Sequence, residues 1–563
     1  NSGILEFNSS APQTLHGAIS GTGALVKNGT GRLNLSVNNF FTGGVTVNDG
    51  IVGLQNGAIG NNGPLTVNGG YVNVSAHDGF DNLTVSELSG TGGLIAVGRR
   101  TFTVNQSTDT TYAGIIQNQN GVGGNSPTGL RKQGIGTLTL SGLNTYNGST
   151  TIQGGTLEVT GALFNGGTRN AITISAGTLG VTGAGYLGPG AVYDKNIASS
   201  GTFDYNSTTD QALSGVISGT GTLTKDNTST LTLSGANTYT GNTTLTAGTL
   251  RIDGNGALHA ANGIYGGDIS IASGATFQYS SSASNTDARY NGAISGGGTF
   301  IKDVDNSTLR LQGTTTVDAI EINQGTLRSQ GVNAAGGAGT TVSLGDTSGS
   351  NFATLWYTGG AATTPTKAGI VVRAGSLGTK TIRNSTTGGS LIENTPITLN
   401  DDLTINDSEL MTLGGVISGS GGLTKTNLGT TTLSGTNTYS GDTAIGAGTL
   451  EIGGTGTLQS GSYAGAIANT GTLHYNSSTD QELSGLISGS GALLKESAST
   501  LTLSGNNNYS GTTSVDDGTL LVNGTSSGGG SVNVASGATL GGTGTIGGTV
   551  TVASGGIFSP GTP

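Results

Sequence analysis

The chain of 563 residues contains no cysteine. That absence excludes disulfides, thiolate nucleophiles and thiolate metal sites together. Charge is scarce as well. Asp, Glu, Lys and Arg make up 9% of the residues, against about 25% in an average globular domain. So little charge argues against ordinary disorder, which couples low hydrophobicity to high net charge. What charge there is sums to −11, a poor match for a polyanionic duplex, so no nucleic-acid partner is expected. Proline occupies only 8 positions and glycine does not fall at every third, which excludes a collagen helix. No apolar run is long enough for a membrane-spanning helix. No segment repeats its apolar residues with a helical period, so essentially no α-helix is expected. The chain begins at Asn1 rather than methionine, which predicts a fragment whose signal peptide or anchor lies outside it.

What is abundant is glycine, at 107 positions, and repetition. Residues 213–250 read LSGVISGTGTLTKDNTSTLTLSGANTYTGNTTLTAGTL, and residues 483–520 read LSGLISGSGALLKESASTLTLSGNNNYSGTTSVDDGTL. Six copies are traceable, at 15–52, 129–161 (partial), 213–254, 290–329 (degraded), 414–454 and 483–524. A prelude also recurs: LEFNSSAPQ from Leu5, FDYNSTTDQ from Phe203, FQYSSSAS from Phe277 and LHYNSSTDQ from Leu473. Within a copy, Thr230-Leu231-Thr232-Leu233 alternates polar and apolar, the mark of a short strand with one dry and one wet face. Glycine, Asn and Ser then close the strand. A sandwich of antiparallel hairpins would need longer runs and tighter turns. The pattern instead predicts an all-β parallel β-helix, a solenoid of coils of roughly 20–25 residues. At about 4.8 Å per layer, one continuous solenoid over 1–563 would hold about 23–28 coils and measure on the order of 110–135 Å. Residues 331–414 depart from the repeat, so irregular coils are expected there.

The shared phrase is carried in the third copy by Ile217, Ser218, Gly219, Gly221, Leu223, Lys225, Leu231, Leu233, Ser234, Gly235, Asn237, Tyr239, Gly241, Gly248, Thr249 and Leu250. It returns as Ile417, Lys425, Leu433, Tyr439 and Gly448, and as Ile487, Lys495, Leu503, Tyr509 and Gly518. This phrase resembles the autotransporter-associated β-strand repeat of bacterial (type V secretion) passenger domains. The tail 541–563 also resembles passenger sequence found downstream of such repeats. The resemblance implies a right-handed parallel β-helix displayed at the cell surface. It also implies a C-terminal outer-membrane β-barrel in cis, outside this chain, as exporter. A solenoid whose coils contact only their neighbours can fold progressively after export, and a chain without cysteine cannot be locked by a disulfide during passage.

Motifs that suggest chemistry are weak in this context. Gly542-Thr543-Gly544-Thr545-Ile546-Gly547 fits a dinucleotide fingerprint but precedes strand-like GTVTV rather than a helix. Gly524 to Gly528 fits GxSxG, again without a following helix. Gly345 to Ser350 is similar to a serine-protease nucleophile segment interrupted by Thr347. His16, His77, His259 and His474 are scattered and suggest neither a triad nor a zinc site. Asp303 to Asn306 opens like an EF-hand loop, but Thr314 stands where its closing glutamate should. Asp401, Asp402, Asp407 and Glu409 form the densest acidic patch, expected to be a solvated turn. No catalytic residue, cofactor or metal is expected.

Lys27, Lys132, Lys225, Lys302, Lys425 and Lys495 recur at one position and are expected as exposed gatekeepers at strand ends. Tyr146, Tyr239, Tyr439 and Tyr509, in N-x-Y-x-G, either cover the core at a turn or form a sugar-stacking track. Trp356 and Tyr357 either contact a ligand or pack within a degenerate coil. Trp356, Tyr357, Tyr239, Tyr439 and Tyr509 are therefore the candidate contact residues. The expected function is adhesion through the flanks of the solenoid, with a second copy or host and matrix molecules or glycans as partner. The alternatives are a passive stalk presenting an N-terminal protease or toxin, and a glycan-active β-helix enzyme, which would need clustered carboxylates.

Overall fold

The computed structural model describes residues 2–54, 59, 62–74, 83–98, 101–118, 129–163, 171–258, 263–282, 288–331, 334–359, 367–386 and 390–561. The chain forms a parallel β-solenoid of about 25 turns with essentially no helix. The helical elements among the described residues are short 3-10 turns such as Pro189–Ala191 and Gln459–Gly461. None is long and apolar enough to cross a membrane. The chain divides into two compact units, Asn1–Phe277 and Gln278–Pro563.

In the first unit, alternation decides which side chains enter the coil. The strands Thr137–Leu140, Thr156–Val159, Thr178–Gly183, Thr202–Ser207 and Thr222–Lys225 stack in parallel. Their register files Leu138, Leu157, Leu179, Phe203 and Leu223 on top of one another. All five are buried. Burying each such side chain contributes about 1.5–3 kcal/mol, so the column adds cohesion between coils beside the backbone ladders that join them. The intervening residues face outward, where Thr137, Thr156, Thr178, Thr202 and Thr222 form a file of their own.

The second unit repeats the scheme, with Leu450, Leu473 and Leu493 stacked inside and Thr449 and Thr472 outside. One turn position explains the Ile-Ser-Gly phrase. Gly219, Gly419 and Gly489 hold φ between 104° and 108°. A Cβ on each would lie 2.1–2.2 Å from a carbonyl oxygen of the preceding coil, so the chain needs glycine to pass this close to itself.

Two strands are far longer than the alternation suggests. Ile294–Leu311 and Thr315–Gln330 hydrogen-bond around corners where glycine usually ends the ladder. Register shifts between Gly296 and Thr299, and again between Lys302 and Thr308, absorb the bends. Between 331 and 414 the described residues still pair coil on coil without the repeat. The first of these coils are longer: Leu327 pairs with Leu355, and Ala353 with Lys380. The spacing returns to 20 residues where Ser390 pairs with Leu410.

Candidate functional site

The six repeat lysines are not surface gatekeepers. Each is buried, at 2% exposure or less, because it stands two residues beyond an inward residue such as Leu223 and alternation turns it inward as well. The ammonium finds its partners in backbone carbonyls. Lys225 Nζ donates to Asn227 O at 2.7 Å and to Ala247 O on the next coil at 3.5 Å. Lys495 donates to Glu496, Ser497 and Asp517 carbonyls at 2.8, 2.6 and 3.2 Å. Lys132 donates to those of Gln133, Gly134 and Gly154 at 2.8, 3.1 and 3.2 Å. Asn227, Gly134, Asn427 and Ser497 all have φ between 66° and 76°, so each of these lysines closes a left-handed turn and pins it to the following coil. The prelude supplies the floor of this cage: Tyr205, Tyr279 and Tyr475 each place a ring centroid 5.9 Å from the ammonium of Lys225, Lys302 and Lys495.

Burial pushes the ammonium of Lys132 down to about 8 despite Asp109, that of Lys225 to about 8 despite Asp226 and Asp210, and that of Lys302 to about 7 despite Asp303 and Asp305. Lys425 differs from its counterparts. It adds an ion pair of 2.8 Å to Asp407, both side chains being fully enclosed. Asp407 is thus no part of a solvated acidic turn, which corrects that expectation. Asp401 pairs with Lys380 at 2.7 Å, and Asp402 accepts the Gly422 amide at 2.7 Å.

The repeat asparagines and tyrosines are structural too. Asn237 Oδ1 accepts the Ile217 amide at 2.8 Å, while its Nδ2 donates to Gly235 O and Ala257 O at 2.9 and 3.0 Å. Asn437 repeats all three bonds. Each therefore ties three successive coils together. Tyr239 bonds Thr243 at 2.8 Å, Tyr439 bonds Thr443 at 2.9 Å and Tyr509 bonds Thr513 at 2.7 Å, all inside the coil. Tyr357 is buried and donates to Glu393 at 2.8 Å, beside the enclosed Lys367–Glu393 pair of 2.7 Å. Burial raises the Glu393 carboxyl, but Lys367 together with the Thr395 and Tyr357 hydroxyls more than offsets this and holds it low. A contact role does not fit these four tyrosines, whose rings are enclosed.

Trp356 is the candidate that remains on the outside. Its ring lies between two guanidinium groups, Arg328 at 4.6 Å and Arg383 at 4.3 Å from the centroid. Its Nε1 donates to Ser385 Oγ at 2.7 Å. Arg328 Nε in turn donates to Thr358 Oγ1 at 3.0 Å.

The weak motifs bring no chemistry together among the described residues. Gly542 and Ile546 lie on strands, with no helix between or after them. Ser526 also sits on a strand, with its hydroxyl enclosed. Thr347 donates its amide to Asp346 in a turn at 2.7 Å. Asp303 accepts from Gln278 at 2.8 Å. His474 lies outward, 3.0 Å from Glu496 and 4.0 Å from Glu451. His16 approaches Ser36 Oγ at 3.3 Å, while His77 and His259 lie outside the described residues. No three described His, Cys, Asp or Glu residues are grouped as a metal site.

Comparison with known proteins identifies passenger-associated-transport-repeats at residues 25–54, 130–159, 223–252, 423–452 and 493–522. Each begins on or beside the strand that carries a buried lysine. The degraded copy at 290–329 is not among them. The Adhesin BmaC autotransporter of Brucella suis biovar 1 (strain 1330) is 36% identical over 165 residues, which make up 28% of this chain and 4% of that protein. The chain thus spans a small fraction of that relative's length. No solved structure matches it.

Proposed function

We propose that the chain is an autotransporter passenger segment, exported across the outer membrane and displayed at the cell surface, and that it is an adhesin working through the flanks of its coils. The observation that carries this reading is the outward threonine file, Thr137, Thr156, Thr178, Thr202 and Thr222, repeated at coil spacing. Such a face offers hydroxyls and methyls in one file, with Glu158 and Asp204 as the charges of the file beside it. Each intermolecular hydrogen bond is worth about 0.5–1.5 kcal/mol net, but a long file multiplies weak contacts by avidity. A second copy of the chain, laid side by side, is the partner this chemistry fits best. Host or matrix molecules are the other partners the same face would serve. The similarity to an adhesin autotransporter is consistent with this role.

The test is settling of cells that display the passenger, compared with cells from which 137–222 is removed in whole coils. Faster settling only with the intact segment supports self-association. Equal settling of both, with surface display verified, would leave a passive stalk as the better reading.

A further inference from the structure

We propose that the outer face of the second unit binds a highly sulfated polysaccharide along a file of Arg289, Arg310, Arg328, Trp356 and Arg383. This inference rests on the adhesin reading and names a ligand class for one face of it. The register places Arg289 opposite Arg310, Arg310 opposite Arg328, Arg328 opposite Trp356, and Trp356 opposite Arg383. One outward side chain from each of five successive coils therefore lies in line, while Leu309, Leu327, Leu355 and Ile382 beside them face inward and are buried. At about 4.8 Å per coil the file runs about 19 Å.

Like charges directly opposite one another work against a sheet, and this file stacks Arg289, Arg310 and Arg328 on successive rungs. The chain has 20 basic residues against 31 acidic ones, and four of the basic residues stand in this line. Trp356 makes the line rigid. Its ring holds the guanidinium groups of Arg328 and Arg383 on its two faces. It is itself anchored to Ser385. Guanidinium forks held in fixed planes suit bidentate recognition of sulfate or carboxylate oxygens.

A second file runs beside the first on the same face: Thr308, Thr326, Thr354, Thr381 and Thr404, each in register with the next. Anion-binding groups alongside a row of neutral hydroxyls match a chain that carries both anionic and hydroxyl groups, as an acidic polysaccharide does. Three arginines on adjacent rungs call for closely spaced charges, which favours heavy sulfation over a single carboxylate in each disaccharide. A single-stranded nucleic acid fits less well. Its bases need aromatic platforms, and both faces of Trp356 are taken by guanidinium groups.

The experiment measures binding of the whole chain to immobilised heparin across a salt series, with de-sulfated heparin, hyaluronan and oligo(dT) as parallel probes. The expected result is retention on heparin, weakened by salt and by removal of sulfate, with weaker retention on the other probes. Arg310→Gln/Arg328→Gln/Arg383→Gln should lose affinity by roughly tenfold per arginine, with an unchanged far-UV circular dichroism spectrum. Arg383→Gln alone, at the most exposed rung, gives a smaller loss and guards against misfolding of the triple variant. Arg131→Gln, outside the file, should bind as the parent does. Equal heparin binding by the parent and Arg383→Gln, no heparin binding by the parent, or equal retention on oligo(dT) would each overturn the proposal. Settling of cells that display Arg383→Gln separates the two readings. Loss of heparin binding with normal settling leaves both standing as separate faces, whereas a parent that settles but ignores heparin sinks this inference alone.

Discussion

Replacing Lys225 by methionine keeps the length and apolar stem of the side chain and removes only its charge and donors. The ammonium serves Asp226, Asn227 and Ala247 carbonyls in a turn whose central residue has φ 66°. Orphaning a buried acceptor costs about 1–3 kcal/mol. Carbonyls at a turn partly recover water, so the expected loss is about 2–3 kcal/mol rather than the sum of three. Lys425→Met should lose more, about 3–5 kcal/mol, because it also strands the enclosed Asp407 carboxylate. Lys425→Met/Asp407→Leu should then recover part of that loss. A repeat solenoid need not unfold in one step, so the apt assay is amide hydrogen exchange read coil by coil. Exchange in the coils around residue 225 should quicken by about 30- to 150-fold, with distant coils unchanged. Unchanged exchange in Lys225→Met, or equal losses at 225 and 425, would refute the idea that the carbonyl cage staples the coils.

Asn237→Ala should destabilise by about 2–4 kcal/mol, since the Ile217 amide and two carbonyls lose their partner; Asn437→Ala should match it, and local exchange measures both. Gly419→Ala should be severe, because the new Cβ would lie 2.2 Å from Leu399 O. Gly190→Ala meets nothing within 4 Å and should cost only about 1 kcal/mol for its positive φ; paired thermal melts compare the two. Stability should rise with pH between about 8 and 10. The lysines lowered to about 7 or 8 shed protons when folded but keep them when unfolded, so the unfolded chain binds more protons in that window. Above about 10 the trend should reverse, since tyrosines pushed up to about 12, such as Tyr205, Tyr265 and Tyr463, ionise first in the unfolded chain. Melts taken at fixed ionic strength check both slopes.

Alternation made the coil legible in sequence. Thr-Leu-Thr-Leu told which residues face inward, and glycine clusters told where the chain turns. The same parity, applied without regard to charge, places Lys225 beside Leu223 on the inner face. Expecting a lysine at the surface obscured it, because the carbonyl ring that receives the ammonium comes from two coils and has no signature in one segment. Parity likewise turns Tyr357 inward and Trp356 outward. The pairing of Trp356 with Arg328 and Arg383 was not legible, because it depends on coil lengths in 331–414, where the repeat that would have set them is missing. Asp407 looked like part of an acidic turn for a similar reason, since its partner Lys425 lies one coil on.

The most direct test uses the absence of cysteine. Thr202 and Thr222 are opposite residues on adjacent coils, with their hydroxyls 3.3 Å apart, so Thr202→Cys/Thr222→Cys should close a disulfide under mild oxidation. Thr202→Cys/Thr224→Cys, displaced by two residues to a diagonal of about 7–8 Å, should not. Crosslinking of the second pair in preference to the first, read by mass spectrometry of tryptic peptides, would contradict the parallel in-register stack.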